Sequence, residues 1–167
     1  GRNSTVIRKT TTSTTGDGSA YGSTDAIILF TPNDKLTASS AFNCGLKNIQ
    51  LASTVTGAFG AVALGPLPRL NIDGVVITGV AIALNAQATM YLSTIRRLHT
   101  NSTTHGIKMD TTGTSNHLDD CYCTSTNTIA YKLVGAYSSG SSLAADVNTG
   151  VVYQFSGGDW VINGLGS

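Results

Sequence analysis

Charge is scarce in this chain. Asp, Glu, Lys and Arg make up 11% of its 167 residues, and the formal net charge is +1. An ordinary globular domain carries about 25% charged residues. A chain this close to neutral has no electrostatic footprint for nucleic acid or for an anionic membrane surface, so neither partner is expected. Cysteine is limited to Cys44, Cys121 and Cys123. An odd number excludes a fully paired disulfide framework, and Cys121 and Cys123, two apart, share one side of a strand. Cys-x-Cys without further ligands at zinc spacing is a weak metal signal. The thiols therefore read as small buried apolar groups, and no metal or cofactor is expected. No apolar run approaches the ~18 residues of a membrane span. No charged-then-apolar leader opens the sequence, so no signal peptide is expected, and Asn3-Ser4-Thr5 and Asn101-Ser102-Thr103 are expected to carry no glycan. No G-x-S-x-G, P-loop, H-E-x-x-H or dinucleotide fingerprint occurs.

Helical periodicity is scarce as well. The best helix candidate runs from "TDAIILF" into "DKLTASSAF", and Thr, Ser and Pro32 interrupt it. Stretches 10–19, 101–104 and 138–142 are rich in Ser, Thr and Gly and read as loops. What remains is alternation of period two, the mark of half-buried strands. Apolar residues reach 41%, enough for a core, and no linker divides the chain. Residues 1–167 read as one domain.

The strands repeat. Short phrases led by Gly57, Gly79, Gly106, Thr128 and Gly150 follow one another at steps of 22, 27, 22 and 22 residues. A period in the twenties marks a solenoid. The positions after each lead stack as apolar columns: Ala58, Val80, Ile107, Ile129 and Val151, then Gly60, Ile82, Met109, Tyr131 and Tyr153. A second strand per coil aligns Ile49/Leu51, Val75/Ile77, Leu98/Thr100 and Cys121/Cys123 on the inside, at steps of 26, 23 and 23. The leucine-rich and calcium-binding nonapeptide patterns are absent. The expected fold is all-β, a right-handed parallel β-helix with coils of about 22–27 residues.

"GRNSTVIRKTTTSTTG", then "DAIILF", then "GLKNIQLAST" (within residues 1–54) resemble an early part of the β-helix of bacteriophage tailspikes, in the pectin-lyase-like superfamily. The rest of the chain resembles the family through its coil repeat alone. The resemblance implies a homotrimer in the virion tail, outside the cell. It implies recognition of a bacterial capsular, O-antigen or exopolysaccharide, and cleavage of it by a glycosidase or lyase in the full-length protein. Whole spikes are longer, so the chain is expected to be a fragment of the β-helix region. Two other readings stay open: a non-catalytic, receptor-binding spindle of a trimeric viral fibre, and a bacterial surface adhesin solenoid.

Candidate site residues come from the outward columns of the second strand. One holds Asn48, Gly74, Arg97 and Asp120, the other Gln50, Val76, His99 and Tyr122. Rungs lie ~4.8 Å apart, so Arg97 is expected beside Asp120 and His99 beside Tyr122. Sugar sites combine polar groups for hydroxyls with an aromatic face for C–H surfaces. Asp120, His99 and Tyr122 are the catalytic candidates; Arg97, Gln50 and Asn48 are the binding candidates. In a lyase, His99 or Tyr122 would remove a proton and Arg97 would neutralise a uronate. Hydrolysis needs two carboxylates, and strict alternation turns Asp119 and Asp120 to opposite sides. Asp73, Asp146 and Asp159 read as turn residues, and Asp110 and Lys132 as a surface pair. Small outward residues, Ala61, Ala81, Ala83 and Ala130 with Val76 and Val152, suggest a covered subunit interface. Trp160 reads as the seal of the last coil.

Overall fold

The computed structural model describes residues 5–11, 25–30, 44–63, 67–87, 89–109, 113–126, 128–136, 138–147, 151–156 and 160–166. Every element among them is a strand, and every strand pairing is parallel. Parallel strands one coil apart form a β-solenoid, as the repeat predicts. The longest rungs are Asn71–Ala86 and Thr94–Met109, which run side by side through most of their length.

The second-strand register agrees with the sequence reading. Gln50 pairs with Val76, Val75 with Leu98, Ile77 with Thr100, and Cys123 with Thr100. Leu51, Val75, Ile77, Leu98, Cys121 and Cys123 are fully buried. Each coil alone exposes these groups, and the neighbouring coil covers them.

The first-strand register differs. Phe59 pairs with Ile82, Ile82 with His105, His105 with Ile129, and Ile129 with Val151. The step of 27 from Gly79 to Gly106 is therefore not a rung step: Ile82 and His105 pair 23 residues apart. Ala61, Ala83 and Ala130, read as outward, are fully buried in the main core. Small residues fit either face of a sheet, so the sequence held no signal for their side. Stretches 101–104 and 138–142 are strand, not loop, and 26–30 is strand, not helix; 31–40 and 12–20 lie outside the described residues. Rung-to-rung pairing supplies the backbone partners that local propensity would have sought elsewhere.

Six described coils bend at a left-handed residue. Asn48, Gly74, Arg97, Asp120, Ser142 and Gly164 all have φ between 49° and 70°, one per coil and in register. Pairing skips this residue: Asp73 meets Arg96 and Val75 meets Leu98, with no partner exchange between Gly74 and Arg97. The bend also breaks the alternation. Ile95 and Leu98 are buried while Arg96 and Arg97 between them are both exposed. Leu118 and Cys121 repeat the pattern around Asp119 and Asp120.

A second left-handed column holds Arg69, Leu92 and Ser115. The residue after each turns inward and builds a buried polar ladder. The Leu70 N–H donates to Ser93 Oγ at 3.1 Å, the Ser93 N–H to Asn116 Oδ1 at 3.2 Å, and the Asn116 N–H to Ser138 Oγ at 3.2 Å. Asn116 Nδ2 donates to the Met90 carbonyl at 2.9 Å. These side chains satisfy main-chain groups that the corner removes from the sheet. At the far end, Tyr131, Tyr153 and Phe155 stack at 5.3 and 6.0 Å, and Trp160 tilts against Phe155 at 6.3 Å. Trp160 packs against the core.

Left-handed positions, of which Gly79 lies outside both columns, make a stability prediction. Gly79 has φ 70°, and an added Cβ would lie 2.2 Å from the Ser53 carbonyl oxygen. Gly79→Ala should therefore lower the melting temperature, at a cost of about 1–3 kcal/mol. Ser142→Gly, which relieves an exposed left-handed residue, should leave it unchanged or raise it by up to ~1 kcal/mol of stability. Thermal melts of both variants check the pair. Equal destabilisation by the two would contradict the left-handed backbone at these two positions.

Candidate functional site

The left-handed corner builds the site. Because two successive residues face outward at each bend, the corner carries a band of doublets: Lys47-Asn48, Asp73-Gly74, Arg96-Arg97, Asp119-Asp120, Ser141-Ser142. The first members are paired in register from rung to rung. Lys47, Asp73, Arg96 and Asp119 thus stack with alternating sign. Opposite charges on neighbouring rungs attract, so the order itself favours this register.

Asn48, Arg97 and Asp120 sit at the bend itself, and Gln50, His99 and Tyr122 lie two residues beyond it. His99 and Tyr122 meet as expected, with ring centroids 5.3 Å apart and planes tilted by 40°. Tyr122 is 41% exposed, and His99 is exposed beside it. Gln50 and Asn48 do not reach this pair: Val76 intervenes in one column and Gly74 in the other. Asn48 Oδ1 approaches to 2.6 Å from where a Cβ on Gly74 would stand, so the Asn side chain occupies the space that glycine leaves.

Arg97 does not pair with Asp120. Its Nε and Nη2 donate to Asp73 Oδ1 at 2.8 and 2.6 Å, one rung in the other direction. Arg97 holds the Asp73 carboxyl below its ordinary pKa of 3.8, with Arg96 and Lys47 adding to the effect. Asp73 is a strand residue before the bend, not a turn residue.

Asp119 and Asp120 both face outward, against the expectation of opposite sides. The left-handed residue between strand segments is the reason. Ser141 Oγ donates to Asp119 Oδ1 at 2.5 Å, and Arg96 Nε lies 3.7 Å from Oδ2. Asp120 is exposed, with no hydrogen-bond or ion-pair partner among the described residues. Asp146 is an exposed strand residue; Asp110 and Asp159 lie outside the described residues. Lys132 pairs in register with Lys108 on one side and Gln154 on the other.

Arg96 and Asp119 are site residues that strict alternation had placed inside, and Asp73 is one that was read as a turn residue. Their alternating signs at the second-strand spacing were the available signal. Comparisons with protein-family models, with curated protein sequences and with solved structures return no match.

The thiols stand apart from this chemistry. Burial pushes Cys121 up to about 12 and Cys123 up to about 11, while half-buried Cys44 is raised chiefly by desolvation. A thiolate is the reactive form. At neutral pH a water-soluble thiol reagent should modify at most Cys44 in the folded protein and all three thiols in denaturant. Fast labelling of Cys121 or Cys123 in the folded state would contradict their placement.

A second expectation concerns Asp73. Its depressed folded pKa contributes stability that is present above the ordinary carboxylate pKa and is lost as pH falls through the folded value. Arg97→Gln should raise the Asp73 pKa, because the largest lowering contact is lost while burial still opposes ionisation. The acid-induced loss of stability should shrink accordingly. Carboxyl NMR titration reads this directly, and an unmoved Asp73 would rule out the Arg97 contact.

Proposed function

We propose that this chain is a β-helical segment of a tailspike-like protein, carried outside the cell on a virion tail, that binds a bacterial surface polysaccharide through its corner band. The observation that carries this reading is the exposed His99–Tyr122 ring pair set directly beside charged doublets. A pyranose presents C–H faces to such rings and hydroxyls to charged and amide groups. Arg96, Asp119 and Asp120 supply those polar groups on the rungs that also carry the two rings. The neutral overall charge fits a ligand recognised by local contacts and not by long-range attraction.

Cleavage is the further part of this reading. Asp119 and Asp120 give the band two outward carboxylates on one corner. Asp119 is held by Ser141 and Arg96, and Asp120 is open to solvent. Glycoside hydrolysis uses one protonated carboxylic acid and one carboxylate, and this corner offers two carboxyl groups in different settings. His99 is the alternative base for a lyase.

A non-catalytic spindle is the second reading. It is favoured by the mutual engagement of Asp73 with Arg97 and of Asp119 with Ser141, since paired surface groups stabilise a sheet without any ligand. With Ala61, Ala83 and Ala130 in the core, support for trimerisation comes from half-buried Val76 and Ala81.

Tyr122→Ala and His99→Ala should each weaken binding to a responsive capsular or O-antigen polysaccharide by roughly tenfold, the worth of one ring contact, without changing the melting temperature. Asp120→Asn should abolish release of new chain ends while binding persists. Unchanged binding in both ring variants would remove the corner band from carbohydrate recognition.

A further inference from the structure

Beside the corner band lies a cleft of about 500 Å³, within the usual range for a small-molecule site. It is lined by Lys47, Arg69, Asn71, Asp73, Leu92 and Thr94, together with apolar groups that include Leu46 and Leu70. The charges in the cleft are unequal. Two cations, Lys47 and Arg69, face one carboxylate, and Arg97 already engages that carboxylate at 2.6 Å. Neither Lys47 nor Arg69 has a side-chain hydrogen bond or ion pair among the described residues.

Part of the lining is also costly to build. Arg69 and Leu92 both adopt left-handed backbone, at φ 60° and 54°, a region that ordinary L residues avoid. Leu92 remains 53% exposed there, so it gains little from packing. An exposed, strained, apolar residue next to an unengaged arginine is better suited to a ligand than to the core.

We propose that this cleft holds the anionic group of a saccharide, a carboxylate or an ester-linked sulfate, between Lys47 and Arg69. The inference rests on the reading of the chain as a polysaccharide binder and narrows that reading to acidic polymers. The guanidinium of Arg69 offers a planar fork to the two oxygens, and the Lys47 ammonium adds a point charge. Asn71 and Thr94 face neighbouring hydroxyls. Leu92 covers a C–H face, which gives its exposed position a role.

The test uses dextran, carboxymethyl-dextran and dextran sulfate, three polymers on one backbone that differ in charge and in the kind of anion. Titration calorimetry is run on the wild-type chain and on Lys47→Gln, Arg69→Gln, Tyr122→Ala and Arg8→Gln. Arg8 is exposed and lies outside the cleft, so its variant loses the same charge elsewhere. One or both anionic polymers should bind more tightly than dextran. Their affinity should fall when salt is raised from about 0.01 M to about 0.15 M. Lys47→Gln and Arg69→Gln should each weaken it roughly fivefold, with Arg8→Gln unchanged. The ratio between carboxymethyl-dextran and dextran sulfate identifies the anion. Equal affinity for all three polymers, lost in Tyr122→Ala and kept in the charge variants, overturns the cleft proposal and leaves the polysaccharide reading standing. Equal weakening by Arg8→Gln reduces the effect to net charge and also overturns it. Binding of none of the three polymers overturns the cleft as an anion site; it spares the broader reading only if a capsular or O-antigen polysaccharide still binds.

Discussion

At one rung position shared by six described coils a residue turns left-handed, and the arrangement of the outer face depends on it. A parallel strand paired on both sides has no freedom to change direction without losing ladder hydrogen bonds. A single residue at positive φ makes the turn and drops out of pairing alone, so Asp73 and Arg96 pair before it and Val75 and Leu98 after it. Because these coils turn at the same rung position, the strands on either side stay in register. The same residue disrupts the inside–outside alternation, and two consecutive side chains then face solvent. The charged doublets, the Arg97–Asp73 contact and the outward Asp119 all follow from that local geometry.

The interior answers the same constraint differently along its length. Aliphatic side chains such as Leu51, Ile72, Ile77, Ile95 and Leu98 fill the central coils. At the second left-handed column the corner leaves main-chain groups without sheet partners, and Ser93, Asn116 and Ser138 take them up. Toward the last coils, aromatic rings replace aliphatic groups. Tyr131 and Tyr153 use their hydroxyls on carbonyls of Cys121, Ala144 and Leu143, each at 2.7 Å. A buried phenol with a satisfied hydroxyl brings a large apolar surface without the penalty of an unpaired polar group.

Much of this scaffold was legible in the residues. The columns through Val75, Leu98 and Cys121 align because only apolar groups fit between stacked coils, and their spacing fixed the second-strand register. His99 beside Tyr122 followed from that register. The first-strand register was not legible, because Gly60, Ala61 and Ala83 fit either face and give alternation no contrast. The corner was hidden for another reason. Left-handed backbone is usually flagged by glycine, yet here Asn48, Arg97, Asp120 and Ser142 adopt it. With the bend unseen, strict alternation sent Arg96 and Asp119 inward and paired Arg97 with the wrong aspartate. The alternating signs of Lys47, Asp73, Arg96 and Asp119 were present in the sequence and become meaningful only once the bend is known.

The measurement closest to the centre of this account is the side-chain exposure of residues 95–98 and 118–121. A soluble paramagnetic agent relaxes side-chain NMR signals in proportion to their accessibility. The left-handed corner predicts strong relaxation at Arg96, Arg97, Asp119 and Asp120, and protection of Ile95, Leu98, Leu118 and Cys121. Strict alternation along these eight positions, with Arg96 and Asp119 protected, would contradict the corner and with it the doublet band on which the functional reading stands.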